Sequence, residues 1–400
     1  MTRKLRDFVG LLTAFSVAVI PFAASPVPAT AADDGTLYGV VGCPFCGSSV
    51  DRVDPVAGTH TQVAALGTDR YDAMAVDPTS HLLYVASVVS IHERHIITID
   101  SQTGAMTVSP NLDHSLVSLV FDPTTHTLYG LTVFTLLPIG LGSVVVRVDP
   151  VTGVETDIAG IRGFVGSLTL NPVTQTLYTS GDFGTPFPTG HLFAIDIHTG
   201  TVSATLLSPI AWDLIYDPSA GALFGIASSN PIAFVRVDAG TGTETPVGNF
   251  AFPPTFPGAP TIDPQSHMIF MVSNESTVSG WVGHVITINV LTGSGTVSPG
   301  IPQALTALAF QPSPITPESI EADVHAAVGS GAIDNAGVAN SLLAKLNAAA
   351  DARSRGQCSV AAAIYGAFID DLNAQSGNHV AADAATRLAA EAQFLVANCP

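Results

Sequence analysis

Short apolar runs alternate with polar turns along most of this chain, a pattern typical of many short β-strands. The unit "FDPTTHTLYG" (121–130) predicts a strand, a tight turn and a second strand. Close variants of this unit are "VDPTSHLLYV" (76–85), "LNPVTQTLYT" (170–179), "YDPSAGALFG" (216–225) and "IDPQSHMIFM" (262–271). Asp and Asn favour such turns because their side chains hydrogen-bond the backbone two residues further on. The recurrence predicts one hairpin used repeatedly in a larger architecture.

The repeat has two anchors, and each occurs six times. The first is an Asp-Pro or Asn-Pro turn, with a degenerate sixth copy at Gln311; its positions are Asp77, Asp122, Asn171, Asp217, Asp263 and Gln311. The second is an Asp-x-x-x-Gly turn, seen as "DPVAG" (54–58) and "DPVTG" (149–153), with "NVLTG" (289–293) as its last copy. Each unit between anchors predicts four strands, a to d, such as "AMAVDP", "LLYVASV", "HIITIDS" and "AMTVSP" in the second unit.

The two ends of the repeat region hold complementary pieces of one unit. The first piece begins with a b strand, "TLYGVVG", whereas the last repeat supplies only an a strand, "ALTALAFQP". A ring explains this split, because the last strand can complete the unit that the first strands begin. We therefore predict an all-β fold, a six-bladed β-propeller with a split closing blade, over residues 32–313. A linear solenoid is the alternative, but it needs capping repeats.

Two side-chain patterns accompany the repeat. His81, His126 and His267 occupy the same position of the a–b turn, and we interpret them as turn residues and not as ligands. Arginine occupies one position of strand c in alternate units, as Arg52, Arg147 and Arg236, while Thr98, Ala194 and Thr287 fill the others. This alternation suggests pairwise duplication or packing between blades.

The repeat units resemble those of secreted bacterial propellers, a broad group that includes streptogramin lyases and gluconolactonase-like enzymes. The resemblance rests on "VDPxTG" and "DPxTxxLYG" and covers about 35–313. It implies the architecture and leaves the activity open, because the shared residues are turn residues. An enzyme of the lactonase type needs Ca²⁺ held by a ring of carboxylate and amide oxygens. The a strands are mostly small or apolar and offer few such ligands.

A Pro-rich break, "QPSPITP" (311–317), separates the repeats from an Ala-rich tail with helical periodicity. We predict helices at about 318–328, 335–352, 358–375 and 381–397, with Asp334 as an N-cap. The tail, residues 318–400, resembles the FIMAH module of secreted bacterial proteins through "SLLAKLNAA" (341–349), "FIDDLNAQSG" (368–377) and "AEAQFLVANC" (390–399). This resemblance implies an accessory helical module.

The first residues have the order of a secretory signal peptide. A basic start with Arg3, Lys4 and Arg6 precedes an apolar run at 8–24, and "ATA" (29–31) is a cleavage signal. We predict a signal peptide at 1–31 and a mature protein that is secreted or associated with the cell envelope. An uncleaved membrane anchor is the alternative, although the run is short for a spanning helix of roughly 20 residues.

The mature chain is strongly acidic. Removal of residues 1–31 takes three of the 13 basic and one of the 32 acidic residues, which leaves 10 and 31. Such a charge repels phosphate backbones, so nucleic acid is not an expected partner. We expect a monomer with no membrane span after cleavage.

The four cysteines fit an oxidising compartment. Their spacing suggests two disulfides, Cys43–Cys46 and Cys358–Cys399, although four cysteines allow three pairings. "CPFC" also has the spacing of a redox motif, but such a pair normally lies at a helix N-terminus. We therefore interpret it as a structural disulfide in a loop.

Chemistry in a propeller is expected on the face formed by the b–c and d–a loops, which do not repeat here. The candidate ligand-binding residues in these loops are Tyr71, Asp72, Trp212, Asp213, Phe252 and Trp281. "HERH" (92–95) could act as acid and base or bind a metal, but a run of charged residues like this one is more typical of a solvated loop. We predict a non-catalytic protein that binds a small molecule, a glycan or a protein, without a cofactor. A Ca²⁺-dependent hydrolase or lyase is the alternative.

Overall fold

A computed structural model describes residues 35–43, 47–90, 92–132, 135–137, 140–182, 190–228, 232–248, 258–278 and 280–397. These residues form six β-sheets, the blades of a propeller, followed by four helices. The six-bladed all-β architecture with a helical tail is confirmed. The predicted signal peptide lies outside the described residues.

The strands follow the repeat. Blade 1 contains β1 (Thr36–Cys43), β2 (Gly47–Asp54) and β3 (Thr59–Gly67); blade 2 contains β4 (Arg70–Asp77), β5 (Leu82–Ser90), β6 (Glu93–Asp100) and β7 (Met106–Val108). Blade 3 contains β8 (Leu116–Asp122), β9 (Thr127–Thr132), β10 (Thr135–Leu137), β11 (Gly140–Val148) and β12 (Glu155–Arg162). Blade 4 contains β13 (Phe164–Asn171), β14 (Thr176–Asp182), β15 (Gly190–Asp196) and β16 (Val202–Leu207).

The second half continues in the same order. Blade 5 contains β17 (Ala211–Asp217), β18 (Ala222–Ala227), β19 (Ala233–Val237) and β20 (Glu244–Pro246). Blade 6 contains β21 (Gly258–Asp263), β22 (Met268–Thr277), β23 (Gly280–Asn289) and β24 (Gly295–Val297), and β25 (Ala304–Gln311) returns to blade 1. Blade 3 differs from the prediction, because the short strand β10 adds a fifth strand in the long b–c loop.

The split closing blade is confirmed. Strand β25 pairs antiparallel with β1, from Thr36 opposite Gln311 to Gly42 opposite Ala304. The a strands β4, β8, β13, β17, β21 and β25 each contact the a strands of both neighbouring blades, so they surround the central channel. The chain therefore closes its ring by hydrogen bonds between its first and last strands.

Apolar side chains fill the spaces between blades. In the cluster between blades 6 and 1, Leu305 and Leu308 of β25 pack with Val41, Val272 and Val285. Burial of one such aliphatic side chain stabilises the fold by about 1.5–3 kcal/mol. Similar clusters lie between the other blades, so each blade is held mainly by its two neighbours.

The a–b turns explain why their sequence repeats. The buried carboxylates of Asp77, Asp122 and Asp217 each accept a hydrogen bond of 2.9 Å from the amide two residues further on. The fourth residue after each anchor has a positive φ, at His81, His126, Gln175, Gly221 and His267. The interpretation of the three histidines as turn residues is confirmed.

These turn residues also reach back to the anchor of the preceding blade. His267 Nδ1 lies 2.8 Å from Asp217 Oδ2, and Gln175 Nε2 donates to Asp122 Oδ2 at 3.0 Å. His81 is hydrogen-bonded to Gln311, while His126 Nδ1 lies 3.9 Å from Asp77 Oδ2. One turn position thus shapes the hairpin and links adjacent blades.

The tail forms four helices, α1 (Pro317–Ser330), α2 (Ala336–Ser354), α3 (Cys358–Gln375) and α4 (Ala382–Ala397). Consecutive helices contact each other, α1 also contacts α4, and all four share one apolar core around Leu342, Tyr365 and Phe368. Thr316 and Ser319 form a capping box at α1. No helix among the described residues combines the length and apolarity that crossing a membrane requires.

The N-cap of α2 is Asn335, and the prediction of Asp334 was wrong by one residue. The Asn335 side chain accepts hydrogen bonds from the amides of Gly337 and Val338, at 2.8 and 3.2 Å. Asp334 instead binds His379, whose Nδ1 lies 2.9 Å from Asp334 Oδ1. Asp and Asn are both good caps, so residue type alone could not decide between these two neighbours.

We expect the substitution His267→Asn to destabilise the protein in a pH-dependent way. The hydrogen bond to Asp217 raises the pKa of His267, although burial opposes this. Burial disfavours the Asp217 carboxylate, but hydrogen bonds from His267 and Ser219 outweigh it and lower the pKa of Asp217. The pair therefore stabilises the fold most between about pH 4 and 6.5, and its contribution is lost as pH rises through the raised histidine pKa.

Urea unfolding should show a loss of about 1 kcal/mol for His267→Asn near pH 6 and a smaller loss near pH 9. Asn tolerates the positive φ, so the turn itself is retained. His126→Asn is the matched control, because this ring has the same turn position but is exposed and farther from its carboxylate. A loss for His267→Asn that is equal at both pH values would contradict the ion-pair interpretation.

Candidate functional site

A cavity of about 570 Å³ lies at the mouth of the central channel. Its wall is formed mainly by residues near the start of the a strands, at the end opposite the Asp turns. The polar residues that line it are Asp72, Ser118, Ser167, Asp213, Asn274 and Thr306. A concave site with a few convergent polar groups is typical of ligand binding.

Backbone bulges create this wall. Every a strand shifts register against its b strand near the start of the a strand, where the cavity lies. Examples are the shifts between Tyr71 and Ala73 in blade 2 and between Trp212 and Ile215 in blade 5. The residues within these shifts include Asp72, Asp213 and Thr306, all of which line the cavity. A bulge re-aims side chains and interrupts pairing, so the same feature in six strands builds the mouth.

Several polar groups of the wall are already used to join blades. Ser118 Oγ accepts a hydrogen bond from the amide of Leu168 at 3.0 Å, and Ser167 Oγ donates to the carbonyl of Leu214 at 3.2 Å. The amide of Asn274 makes two hydrogen bonds with the backbone of Leu305, at 2.7 and 2.9 Å. These side chains hold the mouth in a fixed shape.

Asp213 and Thr306 are different. Thr306 Oγ1 is buried without a hydrogen-bond partner, and among the described residues no hydrogen bond opposes the effect of burial on the pKa of Asp213. Asp213 is half-buried with a φ of 50°, and burial raises its pKa from 3.8 to about 6. Asp72, on the blade three positions away around the ring, forms an ion pair of 2.6 Å with Arg70 Nε. Among the described residues of the mouth, Asp213 is thus a carboxyl group without an ion-pair partner, and burial raises its pKa to about 6.

Tyr71, Trp212 and Trp281 are not among the described residues that line this cavity. Tyr71 is buried between blades 1 and 2, where burial and the charge of Asp69 raise its pKa to about 12. Trp212 is half-buried beside Gly166, and Trp281 is exposed on the β22–β23 hairpin. Phe252 lies outside the described residues. Of the six predicted binding residues, the cavity brings together Asp72 and Asp213.

The remaining candidates are not among the described residues that line the mouth cavity. In "HERH", β6 begins at Glu93, and His95 Nδ1 lies 2.9 Å from the carbonyl of Ser109. In "CPFC", Cys43 ends β1 and β2 begins after the motif at Gly47, but Cys46 and Cys399 are not among the described residues. Both disulfide pairings therefore stay predictions.

The polar side chains of the mouth can form hydrogen bonds. Asp213 can accept a proton or a hydrogen bond, and Thr306 can donate or accept. Within the described ranges, no three His, Cys, Asp or Glu side chains are grouped so that they could hold a metal ion. Sequence reasoning missed Ser118, Ser167, Asn274 and Thr306. Their shared position, four or five residues before an anchor, could have identified all but Asn274.

Comparison with known proteins supports the fold and the tail. Residues 317–397 match the FIMAH domain. A TolB structure from Acinetobacter baumannii superposes with a TM-score of 0.53 at 14% identity, over 70% of this chain and 67% of that chain. A chain from a nidogen/laminin complex superposes with a TM-score of 0.52 at 12% identity, over 69% of this chain and 98% of that chain. No curated protein matches the chain. Such identities show the fold alone, and the subgroup suggested by sequence stays a prediction.

We expect Asp213→Asn to stabilise the protein at neutral and alkaline pH. The folded-state pKa of about 6 lies above the ordinary value of 3.8, so the ionised carboxylate opposes folding above about pH 6. Asn removes this charge and tolerates the positive φ. Urea unfolding near pH 8 should show a gain of about 1–3 kcal/mol that disappears below about pH 4.

Asp157→Asn is the control, because Asp157 is exposed on β12 and carries the same charge. Its effect on the free energy of unfolding should be small at each pH. A stability gain for Asp213→Asn that did not change with pH would contradict the proposed burial of its charge.

Proposed function

We propose that this protein is a secreted or envelope-associated propeller that binds a ligand at its channel mouth without transforming it. The single observation that carries the proposal is an unpartnered half-buried carboxyl group, Asp213, in a rigid cavity of about 570 Å³. Its volume is within the range of ligand pockets. An unsatisfied polar group in such a place is costly unless a bound molecule supplies its partner.

The polar groups of the mouth indicate what the ligand presents. Carboxylates at Asp72 and Asp213 and the hydroxyl of Thr306 favour hydrogen-bond donors or a positive charge. An amine-bearing small molecule or a basic side chain of a protein fits this requirement. The nidogen/laminin complex supports the idea that this fold can present a face to a protein partner.

A screen of basic peptides, glycans and small lactones should find a ligand whose affinity depends on the mouth. Asp213→Asn should weaken its binding by at least about 1 kcal/mol, because a hydrogen bond to a charged group is lost. Asp157→Asn, which removes an exposed acid far from the a strands, should leave the affinity unchanged. Both variants would be measured by titration calorimetry at about pH 7.5.

Unchanged affinity in Asp213→Asn and Asp72→Asn, with folding intact, would discard the mouth as the site. Turnover of a lactone together with tightly bound Ca²⁺ in the purified protein would instead support the hydrolase or lyase alternative. Whether the propeller is a binding protein or an enzyme, we propose an accessory role for the helical tail.

We expect the exported protein to begin at Ala32, after removal of residues 1–31. The basic start, the apolar run and "ATA" motivate this expectation. The intact mass of protein recovered from the culture medium or envelope fraction provides the measurement. A mass that retains residues 8–24 would support an uncleaved anchor.

A further inference from the structure

Two cavities recur at the end of the ring that carries the Asp turns. One, of about 470 Å³, lies at the cleft between blades 2 and 3, and the other, of about 590 Å³, lies between blades 4 and 5. Every residue that lines the smaller cavity has its repeat counterpart in the wall of the larger one. A cavity that recurs at equivalent positions is a product of the repeat and not of an accidental gap.

An aromatic pair lies in each of these cavities. Tyr84 of blade 2 stacks with Phe121 of blade 3, with ring centroids 5.7 Å apart and an interplanar angle of 22°. Tyr178 of blade 4 stacks with Tyr216 of blade 5 at 6.4 Å and 23°. Each pair gives its cavity a rigid surface that is apolar across the ring and, for tyrosine, polar at one end.

An arginine stands in the wall of each cavity, at the alternating position of strand c. Arg147 and Arg236 are exposed, and among the described residues neither donates a hydrogen bond or forms an ion pair. The third arginine of the series, Arg52, is half-buried and donates from Nη2 to the carbonyl of Ser101 at 3.2 Å. Both guanidinium groups can bind an anion, for which their planar donor fork is suited, although Asp238 already attracts Arg236.

Short hydroxyl side chains complete both walls. Thr152 and Thr156 line the smaller cavity, and Thr241, Thr243 and Thr245 line the larger one. Thr241 Oγ1 already donates to Asp238 and Thr243, and Thr152 Oγ1 accepts from the amide of Val154. The exposed hydroxyls of Thr156 and Thr245 can donate to and accept from the hydroxyls of a ligand.

Neighbouring acids limit the charge that such a ligand can carry. Asp149 and Asp238 also line the cavities, and hydrogen bonds from turn residues hold the pKa of each below its ordinary value. The whole chain has a net charge of −19. A ligand that places a single carboxylate beside each arginine fits these acidic surroundings better than a ligand with a densely charged phosphate or sulfate group.

We infer that these two cavities are equivalent subsites for a carboxylate-bearing sugar, a uronic acid unit of a glycan. The guanidinium binds the carboxylate through two parallel hydrogen bonds, the threonines bind ring hydroxyls, and the aromatic pair supports the face of the sugar ring. This site is separate from the channel mouth, at the opposite end of the blades.

Calorimetry with the mature full-length protein tests the assignment. The probe is trigalacturonic acid, and its fully methyl-esterified form is the matched neutral ligand. We expect about two equivalents of the acid to bind, and the ester to bind at least about tenfold more weakly because it lacks the carboxylates. Inorganic phosphate should compete only weakly.

Arginine variants locate the subsites. Arg147→Gln and Arg236→Gln should each leave one equivalent bound, and the double variant should lose at least about tenfold in affinity with an unchanged melting temperature. Arg162→Gln is the control, because Arg162 is an exposed arginine on β12 that lines neither cavity. Asp213→Asn should not affect this binding, which separates the inference from the proposed mouth site.

Several results would overturn the inference. No binding of the acid, equal binding of acid and ester, or full affinity in the double variant would each exclude recognition by these arginines. Phosphate binding as tight as that of the uronate would show a general anion site without sugar recognition.

Discussion

The antiparallel pairing of β25 with β1 is the constraint on which the other features depend. It joins segments more than 260 residues apart, between Gly42 and Ala304, and so brings together the two ends of the chain that forms the other five blades. Closing so long a loop costs chain entropy, which the packing of Leu305 and Leu308 among neighbouring apolar side chains offsets. The same strand places Thr306 in the channel mouth and Gln311 against His81. Ring closure therefore positions groups at both ends of the channel.

Sequence alone predicted the architecture because the repeated residues are those that turn geometry demands. Asp77 and Asp122 accept hydrogen bonds from the amides of their own turns. The positive φ at His81 and His126 limits which residue types can occupy those two positions. Because each blade needs the same turn geometry, the same residue types recur at regular intervals in the sequence. The mouth was less predictable, because a bulge adds residues without changing the apolar pattern. Asp72 and Asp213 both line the mouth, whereas the burial of Tyr71 depends on packing between blades, which no local pattern encodes.

Alternation between blades now has a physical account. The residue before each anchor is Val76, Phe121, Leu170, Tyr216, Ile262 or Phe310, so aliphatic and aromatic side chains alternate around the ring. Each aromatic one stacks on a ring of the preceding blade, as Phe310 does on Phe270 at 5.4 Å. The strand c arginines lie in the same blades as these aromatic residues. The ring thus consists of three blade pairs, and the unexplained arginine pattern in the sequence is part of that pairing.

The turn residue four positions after the anchor is one of the differences between the two cavities at the end of the ring that carries the Asp turns. In blade 3 this residue is His126, which lines the smaller cavity and approaches Asp77 of the preceding blade. In blade 5 it is Gly221, which has no side chain to reach back to Asn171, and both residues line the larger cavity. Since Gly adopts the required positive φ without strain, the hairpin is kept while the contact between blades is lost. The larger cavity therefore lies where the turn residue, Gly221, makes no side-chain contact with the preceding blade.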